Sequence, residues 1–332
     1  MRRIFIAILA GAALAAGPAV AQPYNLTIAG YSPGGLVSTA GAGLDHAINA
    51  AFPGSTVTYQ TSSGGLANAM LLEQKKVPLA FISDTEINVV THGKPPFKQA
   101  LTDLRMLFHA YSASTRFQAS QVLANKGWAE KYGITSVADI AQKKPAMRIA
   151  VNRPGNLDGD VSLAILSADG IGQNDVKAWG GQLVRAASRE MTSLMLDRRL
   201  DLVSFGISIN HPRIQEMAHG LDLIMLPFSE ETAKKVSQEL GGKPCKIAAG
   251  EYPFLAKDTA SVCVGLTVFV RSDMDPQTAY NLTKAFVEQI DKYKSAHRLL
   301  AKAVTLENAT EPGPVPFHPG AEKLLKEKGL LK

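Results

Sequence analysis

Short runs of strand-forming residues alternate with amphipathic helical segments along the first third of the chain. The predicted elements, in chain order, are strand 26–29, helix 36–52, strand 56–60, helix 66–74, strand 79–82 and strand 104–111. Strands that are joined through helices run parallel, with right-handed crossovers. The chain therefore begins with a βαβαβ unit, which predicts a parallel sheet covered by helices.

A second set of alternating strands and helices begins after Pro145, without repeating the residues of the first. Its predicted elements are strand 148–151, helix 161–168, strand 183–186, helix 190–196, strand 202–205, helix 211–217 and strand 223–226. Residues 262–270 form one more apolar strand, and Asp275-Pro276 then starts a helix with the residues preferred at the N-cap and first helical position. The apolar residues predicted on one face of this helix are Ala279, Leu282, Phe286, Ile290 and Tyr293.

Two α/β units joined by long strands predict a bilobed α/β chain with a cleft between the lobes. The crossings are expected near 104–111 and 262–270, and a final helix at 321–328 returns to the first unit. Lobe 1 is then residues 22–108 with 264–332, and lobe 2 is residues 109–263. Such proteins bind ligands in the cleft, at the carboxyl ends of the strands.

Residues 1–21 have the three parts of a secretory signal peptide. Arg2 and Arg3 are basic, residues 4–16 are apolar, and Ala19-Val20-Ala21 forms a small-x-small cleavage pattern. A membrane-spanning helix needs roughly 20 apolar residues, so this segment favours cleavage and export to the periplasm over a membrane anchor.

Composition excludes several classes of protein. Hydrophobic residues make up 46% of the 332 residues and charged residues 19%, so a packed core is expected. The formal net charge of +6 is not clustered, and nucleic-acid binding has no electrostatic footprint. The histidines have no metal-ligand spacing and no phosphate-binding glycine motif occurs, so neither a metal nor a cofactor is predicted.

The chain has two cysteines, Cys245 and Cys263. An oxidising compartment allows them to form a disulfide, and two buried free thiols are the alternative. Sequence does not decide between them, because a disulfide depends on where the two Cβ atoms lie.

The segment Gly30-Tyr31-Ser32-Pro33-Gly34 matches the G-x-S-x-G motif of a hydrolase nucleophile. The residue after that nucleophile must donate its backbone N–H to the oxyanion, and Pro33 has none. A secreted α/β hydrolase using Ser32 is therefore the alternative interpretation. Because Gly34 and Gly35 precede a helix, the loop is better suited to bind an anion through backbone N–H groups, although an ordinary turn has the same composition.

Similar loops follow four other predicted strands, so small and hydroxyl-bearing residues are expected to line one cleft. Arg153 is the only cation noted in them and could hold a carboxylate through two parallel hydrogen bonds; a solvated loop arginine is the alternative. Tyr111, at the end of a crossing strand, is expected either to contact ligand or to pack internally. The predicted ligand-binding residues are Ser32, Gly34, Gly35, Ser62, Ser63, Asn68, Ser83, Asp84, Tyr111, Arg153, Gly155, Asn156, Phe205 and Gly206.

In order and spacing, these segments resemble the TAXI-type solute receptors of tripartite ATP-independent periplasmic (TRAP) transporters, over nearly the whole mature chain. The matching segments are S-P-G-G at 32–35, S-S-G-G-L-A-N at 62–68, L-A-F-I-S-D at 79–84, I-A-V-N-R-P-G at 149–155, L-D-L-V-S-F at 200–205, H-P-R-I at 211–214, A-G-E-Y-P at 249–253 and H-P-G-A at 318–321. The resemblance implies the type II periplasmic binding-protein fold and a receptor rather than an enzyme. Its ligand would be a small carboxylate (an amino acid, dicarboxylate or 2-oxoacid), delivered to the membrane subunits of a TRAP-type permease. We expect a monomer; a receptor that feeds a membrane signalling protein is a further alternative.

Two segments depart from the pattern of these receptors. Leu36-Val37-Ser38 stands where aromatic residues and Thr are common, and Asn156-Leu157-Asp158 stands where Ser-Gly-Thr is common. A ring and two hydroxyl donors are thus missing, and Asp158 would repel a second carboxylate if it faced the cleft. The expected fold is unaffected, but the usual ligand does not transfer to this chain.

Overall fold

The computed structural model describes residues 22–33, 36–154 and 156–331, and the signal peptide predicted at 1–21 lies outside them. The strands are β1 (Asn25–Ala29), β2 (Thr56–Gln60), β3 (Leu79–Ser83), β4 (Leu104–Tyr111), β5 (Gln118–Asn125), β6 (Arg148–Val151), β7 (Gln182–Arg185), β8 (Leu202–Ser208), β9 (Leu223–Met225), β10 (Lys243–Ile247), β11 (Thr259–Val264) and β12 (Leu266–Arg271). The helices are α1 (Leu36–Ala51), α2 (Gly65–Glu73), α3 (Asp84–Thr91), α4 (Lys126–Tyr132), α5 (Val137–Lys143), α6 (Leu157–Ala168), α7 (Gln173–Ala178), α8 (Ser188–Leu196), α9 (Pro212–Gly220), α10 (Glu230–Leu240), α11 (Pro276–Glu288), α12 (Ile290–Lys294), α13 (Arg298–Ala303), α14 (Leu306–Ala309) and α15 (Pro319–Glu327). In this part of the chain, no helix is both long enough and apolar enough to cross a bilayer.

The first sheet has the strand order β2-β1-β3-β12-β4. β1 pairs in parallel with β2 and with β3, which confirms the βαβαβ prediction. β12 comes from the end of the chain and lies between β3 and β4, antiparallel to both. The carboxyl ends of β1, β2 and β3 therefore meet at one edge of this sheet.

The second sheet has the order β10-β11-β5-β8-β6-β7, and β9 pairs with β5. β6 is parallel to both β7 and β8, as the second set of strands and helices predicted. β5 was not predicted, although it pairs with β8, β9 and β11. Its sequence, QASQVLAN, has few β-branched residues and no apolar alternation, yet its six central residues are all buried.

The chain crosses between the sheets twice. The first crossing leads from β4 to β5 through residues 112–117, and the second leads from β11 to β12 through Gly265. The prediction of one continuous strand over 262–270 was therefore wrong, because β11 belongs to the second sheet and β12 to the first. The two crossings touch at Gly265, where a Cβ atom would lie 2.9 Å from the backbone nitrogen of Ala113.

The last helices return to the first sheet, as predicted. Asp275 caps α11 by accepting a hydrogen bond from the backbone N–H of Thr278, and Pro276 occupies the first turn. Phe286 stacks on Phe108 of β4 with ring centroids 3.9 Å apart, and the Tyr293 hydroxyl donates to the carbonyl oxygen of Ala110. These contacts pack the C-terminal helices onto the first sheet.

Cys245 of β10 and Cys263 of β11 form a disulfide, with their Cα atoms 5.8 Å apart. The two strands are antiparallel neighbours, with Cys245 opposite Ser261 and Lys243 opposite Cys263. The pairing thus puts the two cysteines at diagonal positions within bonding reach, which sequence spacing did not reveal.

Candidate functional site

A cavity of about 510 Å³ lies between the two sheets. Residues that follow β1 and β2 line it on the first-sheet side, and residues that follow β6, β7 and β8 line it on the other. This is the volume of a site for a small organic ligand. The predicted residues that line it are Ser32, Ser63, Tyr111, Asn156 and Gly206. Gly34, Gly35 and Gly155 lie outside the described residues.

Ser62 and Asn68, two of the predicted ligand-binding residues, use their side chains to hold the local backbone. The Ser62 hydroxyl lies 2.7 Å from the carbonyl oxygen of Gly30 and 2.6 Å from Oδ1 of Asn68. The Asn68 Nδ2 donates to the carbonyl oxygen of Phe81, and Asn68 is fully buried. Neither residue lines the cavity, because their polar groups are used to join β1, α2 and β3.

Ser83 and Asp84 also lie outside the cavity wall. Ser83 caps α3, where its Oγ accepts from the backbone N–H of Glu86. The Asp84 Oδ2 accepts from the backbone N–H of Gly265 at 2.8 Å, and the Asp84 N–H donates to the Gly265 carbonyl oxygen at 3.1 Å. Asp84 therefore bonds the first sheet to the second crossing.

Two predicted residues of the second sheet also do not line the cavity. Arg153 is exposed and forms an ion pair with Glu190, with Nη2 2.8 Å from Oε2. Phe205 is fully buried within the core, because β8 directs it away from the edge where the cavity lies. Arg153, the cation predicted to hold the ligand, therefore does not line the cavity.

Two other arginines do line the cavity, in the first turns of adjacent helices: Arg189 in α8 and Arg213 in α9. In the described part of the chain, the arginines that form ion pairs are Arg148, Arg153, Arg185 and Arg271. Burial, and then the positive charge of Arg189, lower the pKa of Arg213. Two cations that repel each other at helix N-termini favour an anion between them. Arg189 follows the predicted strand 183–186 and Arg213 follows the predicted strand 202–205, so their position after a strand is the sequence signal that identifies them.

Ser208 and His211 add hydrogen-bonding groups beside these arginines. Ser208, at the end of β8, is 2% exposed and lines the cavity, and its Oγ has no hydrogen-bond partner among the described residues. Burial lowers the pKa of His211 to about 4, so its ring is neutral at pH 7. Its Nδ1 accepts from the backbone N–H of Arg213, which leaves the ring proton on Nε2 as a donor.

A chain of polar contacts forms another part of the wall. The Tyr111 hydroxyl donates to Oε1 of Gln118 at 2.6 Å, and the Gln118 Nε2 donates to Oδ1 of Asp158 at 3.1 Å. Burial, and then the charge of Glu86, raise the pKa of Asp158 to about 7. Asp158 lines the cavity, and its burial disfavours the charged form of its carboxyl group.

Tyr31 lines the first-sheet side of the cavity and is joined to Glu86, which does not line it. The Tyr31 hydroxyl donates to Oε2 of Glu86, and the backbone N–H of Gly65 donates to Oε1. Burial raises the pKa of Glu86. A Cβ atom on Gly65 would lie 2.0 Å from Oε2 of Glu86, so glycine is required for this close approach. The described residues contain no cluster of side chains that could hold a metal ion.

The chain crosses twice between two sheets, and the sheets enclose a cavity at their strand ends. This is the fold of the periplasmic solute-binding proteins, and the predicted type II periplasmic binding-protein fold is confirmed. PhnD1 from Prochlorococcus marinus, solved with methylphosphonate, is similar with a TM-score of 0.58 and 10% identity, covering 93% of this chain and 100% of that one. A binding component of a Pseudomonas aeruginosa ABC phosphonate transporter has a TM-score of 0.53 and 12% identity, covering 93% and 86%. A Xanthomonas citri protein bound to chloride has a TM-score of 0.52 and 12% identity, covering 92% and 97%.

The chain also matches a protein family by sequence over almost its whole length. Residues 28–329 match the NMT1-like family, and the chain belongs to this family. The match covers the two sheets and the C-terminal helices together. It does not specify a transporter type, so the resemblance to TAXI-type receptors stays a prediction.

Proposed function

We propose that this chain is an exported receptor that captures a small organic anion in the cavity between its sheets and delivers it to a membrane transporter. The observation that carries the proposal is a cavity lined by Arg189, Arg213 and the unpartnered hydroxyl of Ser208. These groups, with the Nε2–H of His211, are all donors that converge on one space. The anions named in the structures similar to this one, a phosphonate and a chloride ion, are consistent with such a site.

The donors are sufficient for useful affinity. A micromolar Kd corresponds to about 8 kcal/mol. Hydrogen bonds to charged groups contribute roughly 1.5–3 kcal/mol each, so three or four of them reach that value. Ligand contacts with both sheets would favour a closed arrangement, and closure is the signal by which a permease distinguishes loaded from empty receptor.

The finer assignment is a small carboxylate delivered to a TRAP-type permease. The motif resemblance supports this assignment. The two proposed lobes are residues 22–108 with 264–332 and residues 109–263. One of the similar structures is a component of an ABC phosphonate transporter, so an ABC permease and a phosphonate ligand form the second candidate. Export to the periplasm is supported by the signal-peptide pattern and by the disulfide, because disulfides persist in oxidising compartments.

The hydrolase interpretation of Ser32 is not favoured. Pro33 has no backbone N–H for an oxyanion. A triad histidine must donate from Nδ1 to a carboxylate, whereas the Nδ1 of His211 accepts from the Arg213 backbone. The fold is shared with binding proteins of transporters, which is in keeping with a receptor that has no catalytic activity.

The test is binding by the full mature chain to a panel of carboxylates, sulfonates and phosphonates. Calorimetry measures affinity, and small-angle scattering measures the radius of gyration. We expect micromolar binding of at least one anion together with compaction, and a thermal shift, since ligand at 100 times its Kd stabilises by about 2.7 kcal/mol. Absence of heat and compaction across the panel, with hydrolysis of an ester or amide, would contradict the proposal. Mass spectrometry of ligand released from gently purified protein identifies the natural anion.

A further inference from the structure

Asp158 is the feature of the cavity that an anion receptor does not require. It lies in the first turn of α6, directly after β6, and lines the cavity. Its Oδ1 accepts from Gln118, while its Oδ2 has no hydrogen-bond partner among the described residues. A Cβ atom on Gly206 of β8 would lie 2.7 Å from Oδ1, so the bare backbone of that strand makes the room that the carboxyl group occupies.

The groups that surround Asp158 do not neutralise it. Its neighbours are Glu86 of α3, Tyr111 of β4, Gln118 of β5 and Gly206 of β8, and none of them is a cation. In the described part of the chain, no lysine or arginine forms an ion pair with Asp158. A charged carboxylate that is partly removed from water without a cation is destabilised, and a cation brought to it is correspondingly favoured.

The same cavity has two arginines on the helices that follow the neighbouring strands β7 and β8, and neither is among the described residues that form ion pairs. Glu216 of α9 also lines the cavity, and its charge acts on Arg213 less strongly than that of Arg189 does. On the side of α8 and α9 the cavity therefore has two cations against the one carboxylate of Glu216, and Asp158 is an acid with no cation beside it. An anion without a cationic group would satisfy the arginines but bring a like charge towards Asp158. A ligand with both charges satisfies both.

We infer that the ligand is a small zwitterion, whose protonated amine binds Asp158 while its anionic group is held by Arg189 and Arg213. This rests on the proposed function and narrows its ligand class to anions that carry an amine. The carboxylate, phosphonate or sulfonate identity of the anionic end is left to the experiment. Asp158 is thus a specificity-determining residue of the site.

The experiment compares matched pairs of probes that differ by one amine: β-alanine and propanoate, taurine and ethanesulfonate, and 2-aminoethylphosphonate and ethylphosphonate. Calorimetry at pH 8 uses the full mature chain. We expect the amine-bearing member of at least one pair to bind about 10- to 100-fold more tightly than its partner, as a hydrogen-bonded charge pair implies.

The variants are Asp158→Asn and Asp160→Asn. Asn keeps the size of the side chain and an oxygen to accept from Gln118, so Asp158→Asn is expected to abolish the preference for the amine and to bind the two members equally. Asp160 is in the same turn and lies 3.7 Å from Arg185, and it does not line the cavity, so Asp160→Asn should keep the preference.

The outcomes separate this inference from the proposed function. Tight binding of the amine-free anions, or tighter binding of either class by Asp158→Asn, would overturn the zwitterion while leaving an anion receptor intact. In that case Asp158 acts as a repelling acid or as a protonated donor. Failure of all six probes to bind counts against both the inference and the proposed function.

Discussion

Replacing Asp158 with Asn should make the ligand-free protein more stable at neutral and alkaline pH. Burial raises the pKa of Asp158 to about 7 in the folded chain, whereas an unfolded Asp titrates near 3.9. The unfolded chain therefore releases the proton first, and the stability that the neutral carboxyl group contributes is lost as the pH rises from about 4 through about 7.

The magnitude follows from the shift. A difference of about 3 pKa units corresponds to about 4 kcal/mol at 1.36 kcal/mol per unit. Asp158 keeps some contact with the solvent of the cavity, so the expected difference is about 2–4 kcal/mol. Asn at this position has no charge to bury and retains the hydrogen bond from Gln118, so the variant lacks this pH dependence.

The assay is urea unfolding of the wild type and Asp158→Asn at pH 4, 6 and 8, without ligand. The free energy of unfolding of the variant, relative to the wild type, should rise by about 2–4 kcal/mol from pH 4 to pH 8. Asp222→Asn, at an exposed carboxylate, is the control and should show no such trend. A relative stability that stays constant within about 0.5 kcal/mol would refute the placement of Asp158 in a poorly solvated cavity.

Three further predictions concern the site and the fold. Arg213→Gln should weaken binding of the natural anion by about 10- to 100-fold in calorimetry, because it removes a charge-assisted contact, whereas Arg153→Gln should change it less than twofold; equal losses in the two variants would contradict the site. Replacing Cys245 and Cys263 together with Ser should lower the free energy of unfolding by about 3 kcal/mol, since the disulfide closes a loop of 18 residues, and an unchanged urea midpoint would argue that the bond does not form. Ser32→Ala should leave any trace esterase activity unchanged and reduce anion affinity by less than about tenfold; a complete loss of turnover would restore the hydrolase.

The predicted elements that matched best are strands rich in apolar or β-branched residues and a helix with a capping signal. β2 and β4 coincide with their predicted ranges, and α11 begins at the predicted Asp275-Pro276 signal. Local backbone and capping preferences act over a few residues, so they can be read from sequence. β5 was missed because its burial comes from strands on both sides rather than from apolar alternation in its own residues.

The sequence predicted where in the fold the candidate site lies, but not all of the residues that line it. Loops that follow parallel strands were expected to line a cleft, and Ser32, Ser63 and Asn156 do line the cavity. Arg153 does not, because it turns outward to Glu190, and Arg213 does. Whether a loop side chain faces a cavity or solvent depends on its exact backbone dihedrals and on partners distant in sequence, so the pattern of residue types does not decide it.

The sequence by itself determined the parallel βαβ units, the approximate crossing segments and the edge of each sheet at which the cavity lies, because periodicity and strand order depend on local structure and on fixed chain handedness. Only the tertiary structure decided which charges meet. It joined Cys245 to Cys263, used Asp84 to bond the crossing at Gly265, and left Asp158 in the cavity without a cation. Electrostatic energies depend on distance and on burial between residues far apart in the chain, and folding alone brings those residues together.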